Sequence, residues 1–588
     1  MSKTLVIVES PTKGEKIQGY LGKNYIVVAS KGHITELASG GHHGIGVDVD
    51  NKFKPHYVIS KDKVSTVREL MDLASKVDDI ILMTDPDREG EAIAWHLYER
   101  LKDFDKPMKR ALTKEIKAEA IKKAIKNASD IDLKMVASQQ ARQSLDRIVG
   151  FTASPFLMAT VAPKLSSGRV QSPVTRLVVD REIEIENFKP EDFWTIQAKL
   201  SDGTNSFFTK YPNKLTNASD AKAISDKLSA PDVKYIVSDV TAAQESKSAP
   251  PPFITSTLQQ HCSRASSLDA ADTMKAAQSL YEHGLITYMR TDSVRIEPEN
   301  IENAREYLKA AGKAIPKKAN SFSNKDAAQD AHEAIRPTDL SITPGAKQIT
   351  DGAEKTVYEA IWRQFLASQM NPALYNTLKV TVKANGVELK ASGKALKDKG
   401  FLEMLNVTDD NKIDIPNLSK GDEVTLTGKN PVLVEKKQTQ APPRYSQSNL
   451  LKELEKRGIG RPATYADLLT KIEGRDYVAK KGNVYHATDL GKQVVGLLKN
   501  YFTFMDYDYT AKLENQLDEI GQGKITYEQM LDSFYKDYKK ELDGAYTGEG
   551  NDLCDKCGNA MRVITTKTQE KFLGCTNYPK CKNTKKIK

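Results

Sequence analysis

Three groups of residues have the types and spacing to do chemistry. The first is the run Asp85-Pro86-Asp87-Arg88-Glu89-Gly90-Glu91, which follows the apolar stretch Ile80-Ile81-Leu82-Met83. In extended chain, residues i, i+2 and i+4 share a face, so Asp85, Asp87 and Glu89 are expected to converge. Like charges that close repel one another unless a cation or a shared proton offsets them. Hard oxygen donors of this kind suit Mg2+. A solvated acidic loop before a helix would look similar, because the helix dipole favours acids there. Glu9 adds a carboxylate at the end of Leu5-Val6-Ile7-Val8, with Lys13 four residues on as a candidate phosphate contact.

The second group is Leu285-Ile286-Thr287-Tyr288-Met289-Arg290-Thr291-Asp292-Ser293. It reads as a strand with Tyr288 and Arg290 on one face and Asp292 beyond. A phenol has a pKa of about 10 and is a poor nucleophile at neutral pH. An arginine beside it would stabilise the phenolate and the charge growing on a phosphate. Tyrosine attack on a phosphodiester would leave a covalent protein–nucleic acid intermediate. A Tyr-x-Arg taken alone equally suits cross-strand packing.

The third group is Cys554-x2-Cys557-x17-Cys575-x5-Cys581, the spacing of a four-thiolate zinc ribbon. Residues 551–588 also hold eight lysines and one arginine against three acids, net +6. Four thiolates and one Zn2+ sum to −2, leaving the module at +4. Phe572 and Tyr578 lie among the basic residues, where they could stack on bases or form the ribbon's small core. The fifth cysteine, Cys262, reads as a buried structural thiol in a helix.

The elements that must carry these groups divide the chain. At 588 residues it is too long for one core, and about 150 residues per domain suggests roughly four units. Residues 1–130 alternate strand and helix signals, an α/β pattern with parallel strands. Residues 131–190 look helical. Residues 191–250 and 373–440 are both rich in short strands, and read as one β-rich domain into which 251–372, carrying Tyr288, is inserted. Residues 441–546 are helical again and are grouped with 131–190. Pro251-Pro252-Phe253 opens a helix pair ending at Gly284. Pro442-Pro443-Arg444-Tyr445 opens another, with a break at Gly458, Thr464 as an expected helix cap, and a hairpin around Lys481-Gly482-Asn483. Helix, turn, helix and hairpin reads either as a winged helix or as an ordinary helix pair in a core.

Composition narrows the class. The charge of +9 over the whole chain is mild. No apolar run approaches the roughly 20 residues of a membrane span, so no membrane association is expected and the cytoplasm is the expected location. The Gly-x4-Gly-Lys-Ser/Thr phosphate loop does not occur, so no ATP is expected to drive the reaction.

Glu at one strand end with Asp-x-Asp at another resembles a TOPRIM site, a phosphoryl-transfer arrangement of primases, nucleases and topoisomerases. The tyrosine segment resembles the active-site motif of type IA DNA topoisomerases, and the likeness runs nearly end to end. Its other anchors are Ser30-Lys31-Gly32-His33-Ile34, Gln139-Gln140-Ala141-Arg142, Arg147-Ile148-Val149-Gly150-Phe151, Leu165-Ser166-Ser167-Gly168-Arg169-Val170-Gln171-Ser172, His332-Glu333-Ala334-Ile335-Arg336-Pro337-Thr338 and Arg457-Gly458-Ile459-Gly460-Arg461-Pro462-Ala463-Thr464-Tyr465. Met289 before Arg290 resembles the bacterial topoisomerase I branch more than the topoisomerase III branch.

The resemblance implies a torus: a TOPRIM α/β domain, winged-helix-like helical domains, a β-rich arch and a C-terminal zinc ribbon. It implies ATP-independent relaxation of negatively supercoiled DNA by a monomer that acts on single-stranded segments near the nucleoid. Tyr288 would form a 5′-phosphotyrosine supported by Arg290. Glu9 would be general acid for the leaving 3′-oxygen and general base on resealing, with Lys13 contacting the phosphate or tuning Glu9. Asp85 and Asp87, with Glu9 or Glu89, would hold Mg2+. The four cysteines would hold a structural Zn2+. His332 would touch the scissile region. His33, Arg142, Gln143, Asp146, Arg147, Ser166, Ser167, Gly168, Arg169, Val170, Gln171 and Arg461, together with Arg290, would line the single-strand groove. Arg142 and Asp146 are also spaced as a plain helix-surface pair.

Overall fold

The computed structural model describes residues 3–40, 44–324, 333–547, 554, 556, 561–565, 571–575 and 581–586; His332, Cys557 and Tyr578 lie outside the described residues.

The N-terminal part is built on four parallel strands in the order Tyr25–Ala29, Thr4–Val8, Asp79–Leu82, Met108–Arg110. Leu5, Val6, Ile7 and Val8 are all fully buried, as expected of a parallel sheet covered on both faces. Their alternation sorts them between two cores. Leu5, Ile7, Ile80 and Leu82 pack with Val67, Leu70, Ile93 and Leu97 on one side. Val6, Val8, Ile81 and Met83 belong to a second cluster, with Ile17, Ile116 and Ile121, that continues into Tyr281, Ile286 and Tyr288. The sheet that ends in the acidic residues is therefore fused, through apolar side chains, to the segment that carries the tyrosine.

Strands from two distant stretches of sequence form one antiparallel sheet. The order Ser206–Lys210, Val387–Asp398, Ala373–Ala384, Tyr235–Lys247, Glu423–Leu426, Asp192–Ser201 closes on itself, because Asp192–Ser201 also pairs with Ser206–Lys210; Val432–Gln438 adds to its edge. Ile196, Leu200, Val237, Val380 and Leu389 fill the ring.

Helices from 131–190 and 441–546 share a fourth core. Leu133–Thr160 and Gln171–Glu186 pack with Gln447–Arg457, Tyr465–Glu473, Asp489–Tyr501, Tyr507–Gly521 and Tyr527–Thr547. Within it, Gln447–Arg457 ends on Gly458 in the left-handed region (φ 69°), Tyr465–Glu473 follows, and Val478–Lys481 pairs with Val484–Ala487. This is the helix–turn–helix plus hairpin expected of a winged helix. Among the described residues no hairpin follows the earlier pair, Thr255–Ala265 and Ala270–Glu282, but isolated bridges and irregular chain. Thr464 precedes its helix without capping it by side chain, and its hydroxyl instead accepts from the Arg461 N–H at 2.9 Å. Cys262 is buried in Thr255–Ala265, as anticipated.

Candidate active site and nucleic-acid groove

Glu9 follows the strand Thr4–Val8, and Asp85 lies three residues beyond Asp79–Leu82. These strands are neighbours in the sheet but their connections leave in opposite directions, the switch point where open α/β sheets bind ligands. The carboxylates do not converge by lying on one extended face. Asp87 caps the helix Arg88–Leu101 by accepting the Gly90 N–H at 2.8 Å, and Glu89 sits in that helix's first turn. The chain turns so tightly that a Cβ on Gly90 would lie 2.1 Å from the Asp85 carbonyl oxygen. Arg110 clamps the turn from beneath. Fully buried, it donates to the carbonyls of Thr84 (2.9 Å) and Asp85 (2.7 Å) and pairs with Glu91 at 2.8 Å.

The side chains divide the labour. Lys13, 1% exposed, holds Asp85 at 2.9 Å. Glu9 accepts the Asp85 N–H at 2.8 Å. Burial first, then the negative charge of Asp85, push Glu9 up to about 7 against the pull of Lys13. Tyr288 donates its hydroxyl to Asp87 at 2.6 Å, and Arg290 approaches the same carboxylate oxygen at 3.9 Å. The phenol lies well above its ordinary pKa, because burial and the charges of Asp87 and Asp85 outweigh Arg290. Burial and the two carboxylates therefore favour a neutral phenol at rest, hydrogen-bonded to Asp87, with Arg290 beside it. Tyr281 stacks edge-on against Tyr288, with ring centroids 5.3 Å apart.

The expected strand over Leu285–Ser293 is also corrected. Each backbone group finds a different partner: Thr287 N–H donates to the Arg336 carbonyl and Tyr288 N–H to the Lys114 carbonyl, both at 2.9 Å. No ladder runs past the single Ile286–Pro337 bridge, so proximity to Asp87, not a shared strand face, brings Tyr288 and Arg290 together.

Glu89 points away from this centre. It pairs with His33 (3.3 Å) and Arg142 (3.4 Å) and accepts from Gln139 (3.1 Å). Burial opposes ionisation, but these partners hold Glu89 down to about 2, and Glu89 in turn raises His33. Beside it opens a cleft of about 520 Å³ lined by Asp87, Glu89, Arg142, Arg290, Arg461 and Asp518, among others. Asp518 joins its walls, meeting Arg88 and Arg461 at 2.8 Å each. Sequence reasoning missed Asp518, Arg110 and the structural part played by Arg88. Arg88 at least stands inside the acidic run, whereas Asp518 is one polar residue on an amphipathic helix and carries no signal.

The other groove candidates separate. Gln143 accepts from the Tyr57 hydroxyl at 2.9 Å, and Arg147 lies over the Phe151 ring and donates to the Leu37 carbonyl at 3.0 Å. Ser166, Gly168, Val170 and Gln171 are partly exposed, while Ser167 is buried. Arg169 does not line a groove here. Its side chain is wholly buried between Asp146 (2.7 Å) and Glu514 (2.6 Å). Asp146 also stands 3.9 Å from Arg142, so the helix pair and the Arg169 pair share it.

In the C-terminal module, Cys554, Cys575 and Cys581 bring their sulfurs within 4.8 Å of one another, with Cys554 and Cys581 3.7 Å apart. Tetrahedral thiolates at a Zn–S distance of about 2.3 Å stand about 3.8 Å apart, so these residues fit zinc. The acidic centre fits a hard cation by its chemistry: Glu9, Asp85 and Asp87 are oxygen donors, and their mutual repulsion is only partly answered by Lys13.

A switch-point cluster of carboxylates with a tyrosine hydroxyl against it defines a class: a TOPRIM phosphoryl-transfer centre. Comparison with known proteins gives the family. Residues 4–127 match the Toprim domain, residues 130–532 match DNA topoisomerase, and residues 551–588 match the topoisomerase DNA-binding C4 zinc finger. The chain belongs to the type IA DNA topoisomerases, on the bacterial topoisomerase I side, and relaxes DNA by cutting and rejoining one strand. It is similar over nearly its whole length to full-length topoisomerase I from Thermotoga maritima, at 32% identity and a TM-score of 0.82, with 99% of this chain and 97% of that one covered. The TOPRIM part, zinc ribbon and toroidal layout follow that likeness. Among the described residues no helix is long and apolar enough to cross a membrane.

Proposed function

We propose that Tyr288 is the nucleophile and that cutting leaves a 5′-phosphotyrosine. The Tyr288 hydroxyl, 2.6 Å from Asp87, carries this reading. The phenol oxygen attacks phosphorus as its proton passes to Asp87. The bond to the 3′-oxygen breaks, and Glu9, poised near neutrality, protonates that oxygen. On resealing, Glu9 takes the proton back from the 3′-hydroxyl as that oxygen attacks phosphorus, and the tyrosine oxygen leaves as Asp87 returns its proton. Arg290 offsets charge on the phosphate. Lys13, pinned to Asp85, serves better as a tuner of Glu9 than as a direct phosphate contact.

Asp85 and Asp87, with Glu9, are the residues that would hold Mg2+, which when bound supplies positive charge beside the broken ends. His33, Arg142 and Arg461 flank the cleft in which a single strand would lie, and His332 would stand near the scissile phosphate. The domain division is 1–130, 131–190 with 441–546, 191–250 with 373–440, 251–372 and 551–588. The substrate is a single-stranded stretch of negatively supercoiled DNA, the working unit is a monomer, and the location is the cytoplasm beside the nucleoid.

The test is denaturing electrophoresis of protein mixed with labelled single-stranded DNA. Native protein should carry DNA covalently. Tyr288→Phe should keep binding within a few-fold and form no adduct, since only the nucleophilic oxygen is removed. Plasmid relaxation by that variant would rule Tyr288 out.

A further inference from the structure

Strand passage requires the tyrosine-bearing segment to move away from the acidic centre after cutting and then to return in register. Besides the shared apolar core, and Lys13 over the Tyr281 ring, two polar patches join the two sides. One is the chemical patch, where Tyr288 and Arg290 meet Asp87. The other lies behind the nucleophile, on the short stretch Lys114–Lys117 between the strand Met108–Arg110 and the helix Ala118–Lys126.

We propose that Lys114–Lys117 is a clasp that seats Tyr288 when the gate is closed and releases as a unit when it opens, with Glu115 and Lys117 as positioning residues. This rests on the assignment of Tyr288 as nucleophile. The Lys114 carbonyl accepts the Tyr288 N–H at 2.9 Å, so the stretch fixes the nucleophile's own backbone. Glu115 meets Arg336 at 3.4 Å, and the Arg336 carbonyl holds the neighbouring Thr287 N–H. Lys117 donates to the Thr338 carbonyl. Thr338 in turn donates to the Gly284 carbonyl at 2.6 Å. Ile116, 1% exposed, is the apolar plug between these polar contacts. It sits so close that a Cβ on Gly284 would stand 2.5 Å from its carbonyl oxygen. At φ +70°, that position also favours glycine for its backbone.

The polar contacts are arranged to part without stranding a charge. Arg336 is 3% exposed on its side chain, and an unpaired arginine there would be costly. It is not left unpaired, because Glu333 on its own side holds it at 2.8 and 3.0 Å whether or not Glu115 is present. Glu115 and Lys117 line a cleft open to solvent, into which both can be solvated as the gate parts. That cleft shares no lining residue with the cleft beside Glu89 and Arg461, so the clasp works outside the path proposed for the cut strand. The side chains of Glu115 and Lys117 reach Arg336 and Thr338 rather than the reacting atoms, and the backbone bond from Lys114 to Tyr288 does not depend on them, so their loss should ease opening more than it slows cutting.

The experiment pairs two readouts on full-length protein. Adduct formation on a single-stranded oligonucleotide reports chemistry. Extension steps of a single DNA strand under tension report gate opening after cutting. Glu115→Ala and Lys117→Ala together should leave adduct yield within about twofold and raise the opening frequency roughly fivefold, the order expected for losing partly exposed polar contacts. Glu115→Asp should return the opening frequency toward native. An unchanged opening frequency with normal adduct yield would overturn the clasp. So would a loss of adduct in step with a lowered melting temperature, which would make the stretch merely structural. If the native protein forms no adduct at all, the assignment of Tyr288 fails and the clasp falls with it.

Discussion

Two buried charge clusters in this molecule are built on opposite rules. At the strand ends, Glu9, Asp85 and Asp87 crowd like charges around one lysine, and Glu9 rises to about 7. Under the groove, Arg169 lies between Asp146 and Glu514, with Arg461, Arg142 and Arg88 also pulling on Glu514, and that carboxyl is held down to about 2 although burial opposes it. The first cluster is left electrostatically unfinished, ready to exchange a proton and accept a phosphate. In the second, opposite charges meet in direct ion pairs, and the carboxyl is held ionised. Burial of charge by itself therefore says little about function; what matters is whether the partners balance.

The comparison can be broken most forcefully at Arg169. Arg169→Ala leaves Glu514 buried without its nearest cation, and removal of one partner of a buried pair costs about 3–5 kcal/mol. Urea unfolding should show a loss of that size, and a loss below about 1 kcal/mol would mean that water reaches the site. The pH dependence follows from the depressed carboxyl. The stabilisation from Glu514 is fully present above its unfolded value of 4.5 and disappears as pH falls toward about 2. The variant should lack that acid-labile part.

A smaller effect sharpens the other side. In metal-free buffer, cutting needs Glu9 protonated, so single-turnover adduct formation should fall about tenfold per pH unit above roughly 7. Glu9→Gln should be slow and flat over the same range. A native profile that stays level through neutrality would remove Glu9 as the acid.

The smallest effect concerns the ribbon. Deleting residues 551–588 should leave oligonucleotide cutting unchanged and slow plasmid relaxation a few-fold, more at higher salt, because basic contacts to phosphate are screened. Equal relaxation by both forms across a salt series would deprive the module of a DNA-holding part.

Much of the catalytic centre was legible because its residues sit at element ends in short, chemically loaded runs. A carboxylate after each of two buried strands, and a tyrosine after a helix-ending glycine, can be seen in one dimension. What could not be seen depends on partners remote in sequence. Arg110 reads as the third residue of a charged Met-Lys-Arg, yet it is the buried clamp under Asp85. Arg169 reads as a groove arginine because its neighbours do, and only Glu514, 345 residues away, explains why it is inside. The strand expected around Tyr288 failed for a related reason: its backbone partners lie on separate segments. The β-rich stretches were recognised as strands, whereas their closure into a ring depends on Asp192–Ser201 pairing with three partners, which periodicity does not encode.

That ring has a mechanical consequence. The chain leaves it along Tyr235–Lys247 and returns along Ala373–Ala384, and these strands are hydrogen-bonded neighbours from Tyr235 opposite Ala384 to Lys247 opposite Ala373. Everything between, Tyr288 included, joins the ring through these two strands, which with Val387–Asp398 on the far side of Ala373–Ala384 make a three-stranded strap roughly 40 Å long at about 3.3 Å per residue. Its entry and exit points are side by side, so the load can swing or twist while neither strand has to slide past the other. Near the load, the outgoing strand is exposed along Thr241–Lys247, with no core to stiffen it. A strap of this kind bends readily across its face and resists stretching along its length, so it can let the broken end travel sideways yet still return it to the same register.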